Sequence, residues 1–149
     1  MQEILFRGFH KQADGPDVAI IDGVAERGRW FEGSLVKMGP VGYTHYYILP
    51  DYASAFYEIE VIPSTVGAYT GLTDKSGKKI FNGDRVRVPM YRYTSTVPVF
   101  MDGTVTDGKA AFRVEWDDES CGSNFVGYLE GVEVIGTIYD TPPEGAANV

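Results

Sequence analysis

Two histidines, one cysteine and a few clustered carboxylates are the residues of this chain whose chemistry could go beyond packing. A zinc site needs three or four His, Cys or carboxylate ligands at short spacings, and His10 and His45, far apart in the sequence, do not supply one. Cys121 has no second cysteine for a disulfide, a CxxC redox pair or a thiolate cluster. As a nucleophile it would need a histidine base, and its setting, Glu119-Ser120-Cys121-Gly122-Ser123, is an acidic loop that opposes a thiolate. The run Asp117-Asp118-Glu119 lacks the alternating oxygens, central glycine and distal glutamate of a calcium loop. Gly67 and Gly71 are not followed by the Gly-Lys-Ser/Thr of a phosphate cradle. The expectation is therefore no catalytic set, no metal site and no cofactor. An enzyme would require two or more of Asp74, Asp84, His45 and Cys121 to gather in one concave pocket with shifted pKa values.

Two kinds of binding surface remain. Thirteen basic and twenty-one acidic residues leave a net charge of −8, which repels a phosphate backbone over most of the surface. Residues 75–92 are the exception: six basic residues against one acid give +5. Lys75, Lys78, Lys79, Arg85, Arg87 and Arg92 are thus the candidate anion contacts, although strand edges also carry such charges merely to prevent unwanted pairing. The second kind of surface is aromatic. Tyr43, Tyr46 and Tyr47 lie close together, Tyr91 and Tyr93 flank Arg92, and tyrosine offers the rigid amphipathic area that interfaces favour. These five tyrosines are the candidate protein interface.

The elements that must position these residues are strands. Eighteen glycines, eight prolines and eighteen Tyr plus Phe residues favour turns and pleated surfaces over helices, and a helical period is not sustained. Strands are expected over Glu3–His10, Val18–Ile21, Trp30–Met38, Tyr43–Leu49 and Tyr57–Val61, with a loop from Lys11 to Gly28 and a short helical turn over Asp51–Tyr57. The second half reads as Ala68–Leu72, Lys78–Phe81, Arg85–Val88, Phe100–Thr106, Ala111–Trp116 and Val132–Tyr139. Asp74-Lys75-Ser76-Gly77, Asn82-Gly83-Asp84 and Asp107-Gly108 are the turns between them. In Arg85-Val86-Arg87-Val88 the alternation sends both valines to one face and both arginines to the other. The fold class is all-β: an N-terminal β-rich region, residues 1–65, packed with a small SH3-like barrel over 66–140, and a frayed tail at 141–149.

The stretch Thr65-Val66-Gly67-Ala68-Tyr69-Thr70-Gly71-Leu72-Thr73-Asp74-Lys75-Ser76-Gly77-Lys78-Lys79-Ile80-Phe81-Asn82-Gly83-Asp84 resembles the signature of the YopX family of phage and prophage proteins. The opening Ile4-Leu5-Phe6-Arg7-Gly8-Phe9, the strand Trp30-Phe31-Glu32-Gly33 and the closing Glu133-Val134-Ile135-Gly136-Thr137-Ile138-Tyr139 agree with it. The resemblance implies a β-rich protein of a phage or integrated element, acting in the bacterial cytoplasm, and it implies no reaction. Physically, the signature's glycines are the residues for positive φ or close backbone approach, and Asp74 and Asp84 are the residues for local turn bonds.

Together these readings describe a non-catalytic module that binds a protein partner or itself, a homo-oligomer being expected. Nucleic-acid contact through residues 75–92 is the alternative disfavoured by net charge, and a cryptic enzyme is the third. No segment reaches the ~18 apolar residues of a membrane span. The N-terminus lacks the apolar run of a signal peptide, so a soluble cytoplasmic protein is the expectation.

Overall fold

The computed structural model describes residues 4–50, 58–91, 93–108 and 111–140. Among these the secondary structure is strand, turn and three short 3₁₀ segments, so the fold is all-β and antiparallel. The expected helical turn at 51–57, the tail at 141–149 and Arg92 lie outside the described residues. The chain forms two compact units, one of Ile4–Ala68 joined by Tyr139 and Asp140, the other of Tyr69–Ile138.

The first unit is organised by one long strand. β1 (Phe6–Lys11) and β2 (Asp17–Ile21) pair with successive stretches of β3 (Val24–Met38), and β4 (His45–Leu49) pairs with the far end of β3 and with β5 (Ile59–Val61). The loop expected from Lys11 to Gly28 is thus a correction: β3 begins at Val24, and Asp22-Gly23, both at positive φ, form the two-residue hairpin turn from β2. Two glycines let β3 run for fifteen residues. A Cβ on Gly28 would lie 2.0 Å from the His10 carbonyl oxygen, and one on Gly33 would lie 2.1 Å from the Leu49 oxygen. Gly33 therefore sits where β3 leaves β1 and takes up β4. Leu5, Phe9, Ile48, Ile59 and Val61 are buried here, and Phe9 meets the edge of Trp30 at 5.2 Å.

A 3₁₀ turn, Pro63–Thr65, leads to β6 (Gly67–Thr73), whose first two residues pair with β1. In the second unit the rest of β6 pairs with β7 (Lys79–Phe81). β8 (Asp84–Met90), β9 (Val99–Asp107), β10 (Phe112–Trp116), β11 (Ser123–Phe125) and β12 (Glu133–Thr137) form a five-stranded sheet in the order β11-β10-β9-β8-β12. Val86 and Val88 are buried while Arg85 and Arg87 take the other face, as the alternation requires. The core joins those valines to Ile80, Val105, Val114, Trp116, Val126 and Val132. Burying each such side chain contributes about 1.5–3 kcal/mol.

The closure expected of an SH3-like barrel is not made. Among the described residues β11 and β12 are the two ends of an open sheet, and no ladder joins them. Closure needs pairing between the terminal strands, and here β12 is engaged instead by the β6–β7 turn. Lys75 N–H donates to the Val132 oxygen at 2.8 Å, and Val134 N–H donates to Asp74 Oδ2 at 3.0 Å.

Candidate functional site

The residues singled out for chemistry are largely occupied in holding the chain together. Asp74 is buried, and its Oδ1 accepts the main-chain N–H groups of Ser76 and Lys78, both at 2.9 Å. Burial alone would raise its pKa, but these bonds and the one from Val134 outweigh it and hold the carboxyl below the usual aspartate value. Asp84, fully buried, accepts the Phe81 N–H at 2.8 Å through Oδ2. Gly71, Gly77 and Gly83 adopt positive φ, whereas Gly67 does not. The signature hydroxyls behave alike. Thr65 Oγ1 accepts Phe9 N–H at 2.9 Å and donates to the Ile62 oxygen at 2.6 Å, and Thr70 Oγ1 donates to the Ile80 oxygen at 2.8 Å.

The basic stretch is also engaged. Arg85 donates twice to Asp117, at 2.6 and 2.5 Å, and once to Thr104 Oγ1 at 2.8 Å. Arg87 donates to both oxygens of Asp102, at 2.8 and 3.0 Å. The bonds to Asp117 and to Asp102 raise the pKa of Arg85 and Arg87 respectively, and Arg87 lowers that of Asp102. Lys75 pairs with Glu133 at 2.7 Å, and the Lys79 ammonium lies 5.9 Å from the centre of the Tyr69 ring. Lys78 is exposed. A nucleic-acid phosphate would have to displace these carboxylates, so the +5 of residues 75–92 is much reduced at the surface.

His45 Nδ1 meets Glu60 Oε2 at 2.5 Å, and His10 Nδ1 meets the Glu60 main-chain oxygen at 2.7 Å. Both histidines thus brace the strands around β5. Among the described residues no three His, Cys, Asp or Glu side chains come together as a metal site. Cys121 is exposed beside a shallow groove of about 650 Å³ lined by Arg87, Phe100, Asp102 and Asp118. Asp118 caps the 3₁₀ turn Glu119–Cys121: it accepts from the Ser120 hydroxyl and N–H, which lower its pKa. Asp117-Asp118-Glu119 is therefore a solvated connection between β10 and β11.

The candidate tyrosines fall into two groups. Tyr43 is exposed before β4, while Tyr46 and Tyr47 are half-buried on it, Tyr46 beneath the Lys37 ammonium at 5.4 Å. Tyr91 and Tyr93 are exposed in the loop between β8 and β9, in the other unit.

What stays unspent lies elsewhere in the Tyr69–Ile138 unit. A groove of about 820 Å³ is lined by Leu72 of β6, Phe112 of β10, Phe125 of β11 and Val126 and Tyr128 of the following 3₁₀ turn. Among the described residues no charged side chain lines it. Leu72 is 39% exposed, Phe125 38% and Tyr128 83%. Phe125 and Tyr128 meet edge to face at 5.8 Å, and the Arg113 guanidinium stacks 4.3 Å from the Phe125 ring centre while donating to Ser123 Oγ and the Ser123 carbonyl. Sequence reasoning missed Phe112, Phe125 and Tyr128 as a site. No sequence signal marks them, since they lie on separate elements, and the exposure of Leu72 emerges only from the fold.

Comparison with known proteins returns one family, described as YopX protein, whose model matches residues 30–143. No curated protein and no solved structure matches the chain.

Proposed function

We propose, from the premise that this chain belongs to the YopX family, that it is a non-catalytic protein-binding module of a phage or prophage, working in the bacterial cytoplasm. Its binding surface is the groove of the Tyr69–Ile138 unit, and the five-stranded sheet beneath it is read as an opened relative of a small barrel. The observation that carries the reading is the cluster of the exposed Leu72, Phe125 and Tyr128 around one groove. Aromatic and aliphatic side chains held together in water mark a surface that a partner covers. The carboxylates and arginines that might instead have done chemistry are bound to one another or to main-chain N–H groups.

The test is site-specific photo-cross-linking in bacterial cells, with a benzophenone amino acid at position 128 and, as control, at the exposed Asp22 of the β2–β3 turn. A discrete adduct from position 128 that is absent from position 22 supports the reading. No adduct, or the same adducts from both positions, refutes it.

A further inference from the structure

The two edges of the five-stranded sheet are treated differently. Exposed edges invite pairing with other chains and are ordinarily blunted by charge, bulges or covering segments. The β12 edge has all three. Its register shifts between Val134 and Gly136, Glu133 carries the Lys75 ion pair, and the Asp74-Lys75 turn bonds to Val132 and Val134.

The β11 edge is Ser123-Asn124-Phe125, with no proline, lysine or acidic residue. Trp116 N–H donates to the Gly122 oxygen at 3.2 Å. In an antiparallel pair bonded residues alternate with unbonded ones, so Asn124 turns its main-chain groups toward Val114 while Ser123 and Phe125 turn theirs outward. Arg113 takes the Ser123 carbonyl at 3.1 Å. Phe125, whose main chain belongs to this edge, also lines the groove.

We propose that an extended segment of a partner protein adds to β11 as a further strand, laying alternate apolar side chains into the groove beside Leu72, Phe112 and Tyr128. This rests on the protein-binding reading and specifies its mode: main-chain bonds to the edge supply affinity, and the groove supplies side-chain selectivity. The segment carries basic flanks. The chain has a net charge of −8, and residues 93–149, with two basic and ten acidic residues, carry −8. That field attracts cations and repels a second copy, which would bring the same charge to the contact.

The experiment uses the full chain and a displayed library of random peptides of roughly nine residues, about 30 Å when extended. Selected peptides should alternate apolar residues and end in Lys or Arg. The best is then resynthesised with main-chain N-methyl groups at odd or at even positions. Methylation of one parity should weaken binding about tenfold or more and the other much less. Tyr128→Ser, at a side chain in water, should weaken binding to a similar degree while leaving the thermal midpoint unchanged. Equal tolerance of both parities overturns strand addition but leaves a groove-binding module standing. Binding indifferent to Tyr128→Ser overturns both, and so does failure of any peptide to enrich. A dimer in sedimentation that Tyr128→Ser dissolves and no selected peptide competes away overturns the inference in favour of a second copy.

Discussion

Replacing Asp74 by alanine tests whether the signature carboxylates are structural. The side chain is 7% exposed and accepts three main-chain N–H groups, two within its own turn and one from Val134 on β12. A hydrogen bond to a charged group contributes about 1.5–3 kcal/mol, but the three do not add. Ser76 and Lys78 are exposed, and water can replace the carboxylate at their amides. Val134 is half-buried, so its amide loses most. The expected cost is therefore about 2–4 kcal/mol, out of a total stability of the order of 5–15 kcal/mol. At about 2–4 °C per kcal/mol for a chain of this size, the thermal midpoint falls by roughly 4–16 °C. Asp74→Asn should cost less, because its amide oxygen still serves two donors while its NH₂ cannot accept from Val134. The assay is urea unfolding followed by Trp116 fluorescence, with hydrogen exchange read at the Val134 amide. A loss under about 0.5 kcal/mol with Val134 still protected would refute the structural assignment and return Asp74 to the list of reactive groups.

Four further outcomes are expected. Asp74, Asp102 and Asp118 have lowered folded-state pKa values, so the stability they contribute is present above the unfolded value near ~3.9 and is lost as pH falls through their folded values. Urea midpoints should therefore be flat near neutrality and drop below about pH 4, less steeply in Asp74→Asn than in the parent. Gly33→Ala should cost about 2 kcal/mol or more, measured by Trp30 fluorescence on unfolding, because the added Cβ meets the Leu49 carbonyl oxygen. Thr65→Val, nearly isosteric, should cost about 1–3 kcal/mol in the same assay, since it leaves the Phe9 N–H without its acceptor. Arg87→Glu should place like charges beside Asp102 and Glu133 and lower the thermal midpoint in low salt more than in high salt, seen by thermal scans at the two ionic strengths.

The parts of the fold that were legible in the sequence are those governed by short-range rules. The alternation of Arg85 to Val88, the Asp74–Gly77 turn and the Asn82-Gly83-Asp84 turn each depend on a few adjacent residues, and each stands as read. The first part of β3 falls in the expected loop because the breakers Asp14-Gly15-Pro16-Asp17 and Asp22-Gly23 punctuate the sequence before it. What keeps it a strand is pairing with two others, β1 and β2, a long-range fact. Asp22-Gly23 is a hairpin signal as well as a breaker, and the pairing of β2 with β3 decides between the two. The barrel expectation missed for the same reason: whether terminal strands meet is decided by pairing between residues distant in sequence. The groove was illegible because Phe112, Phe125 and Tyr128 come from a strand, another strand and a 3₁₀ turn, and Leu72 from a fourth element.

The hairpin tip of the signature links these observations. Asp74 folds its own turn through Ser76 and Lys78, and the same carboxylate, with the Lys75 amide, reaches across to β12. A carboxylate so used is held ionised by the main-chain N–H groups it accepts, and its charge serves to join the turn to β12. Its second consequence concerns the sheet. Because β12 is held by the turn, one end of the open sheet is satisfied from within the chain, and the exposed pairing capacity is left at β11, beside the apolar groove. Removing the Asp74 cover should therefore expose a second edge. Asp74→Ala should then lose stability and also self-associate through β12, an aggregation that adding Ile135→Lys, a new charge at an exposed apolar position of that strand, should suppress, while Tyr128→Ser should not.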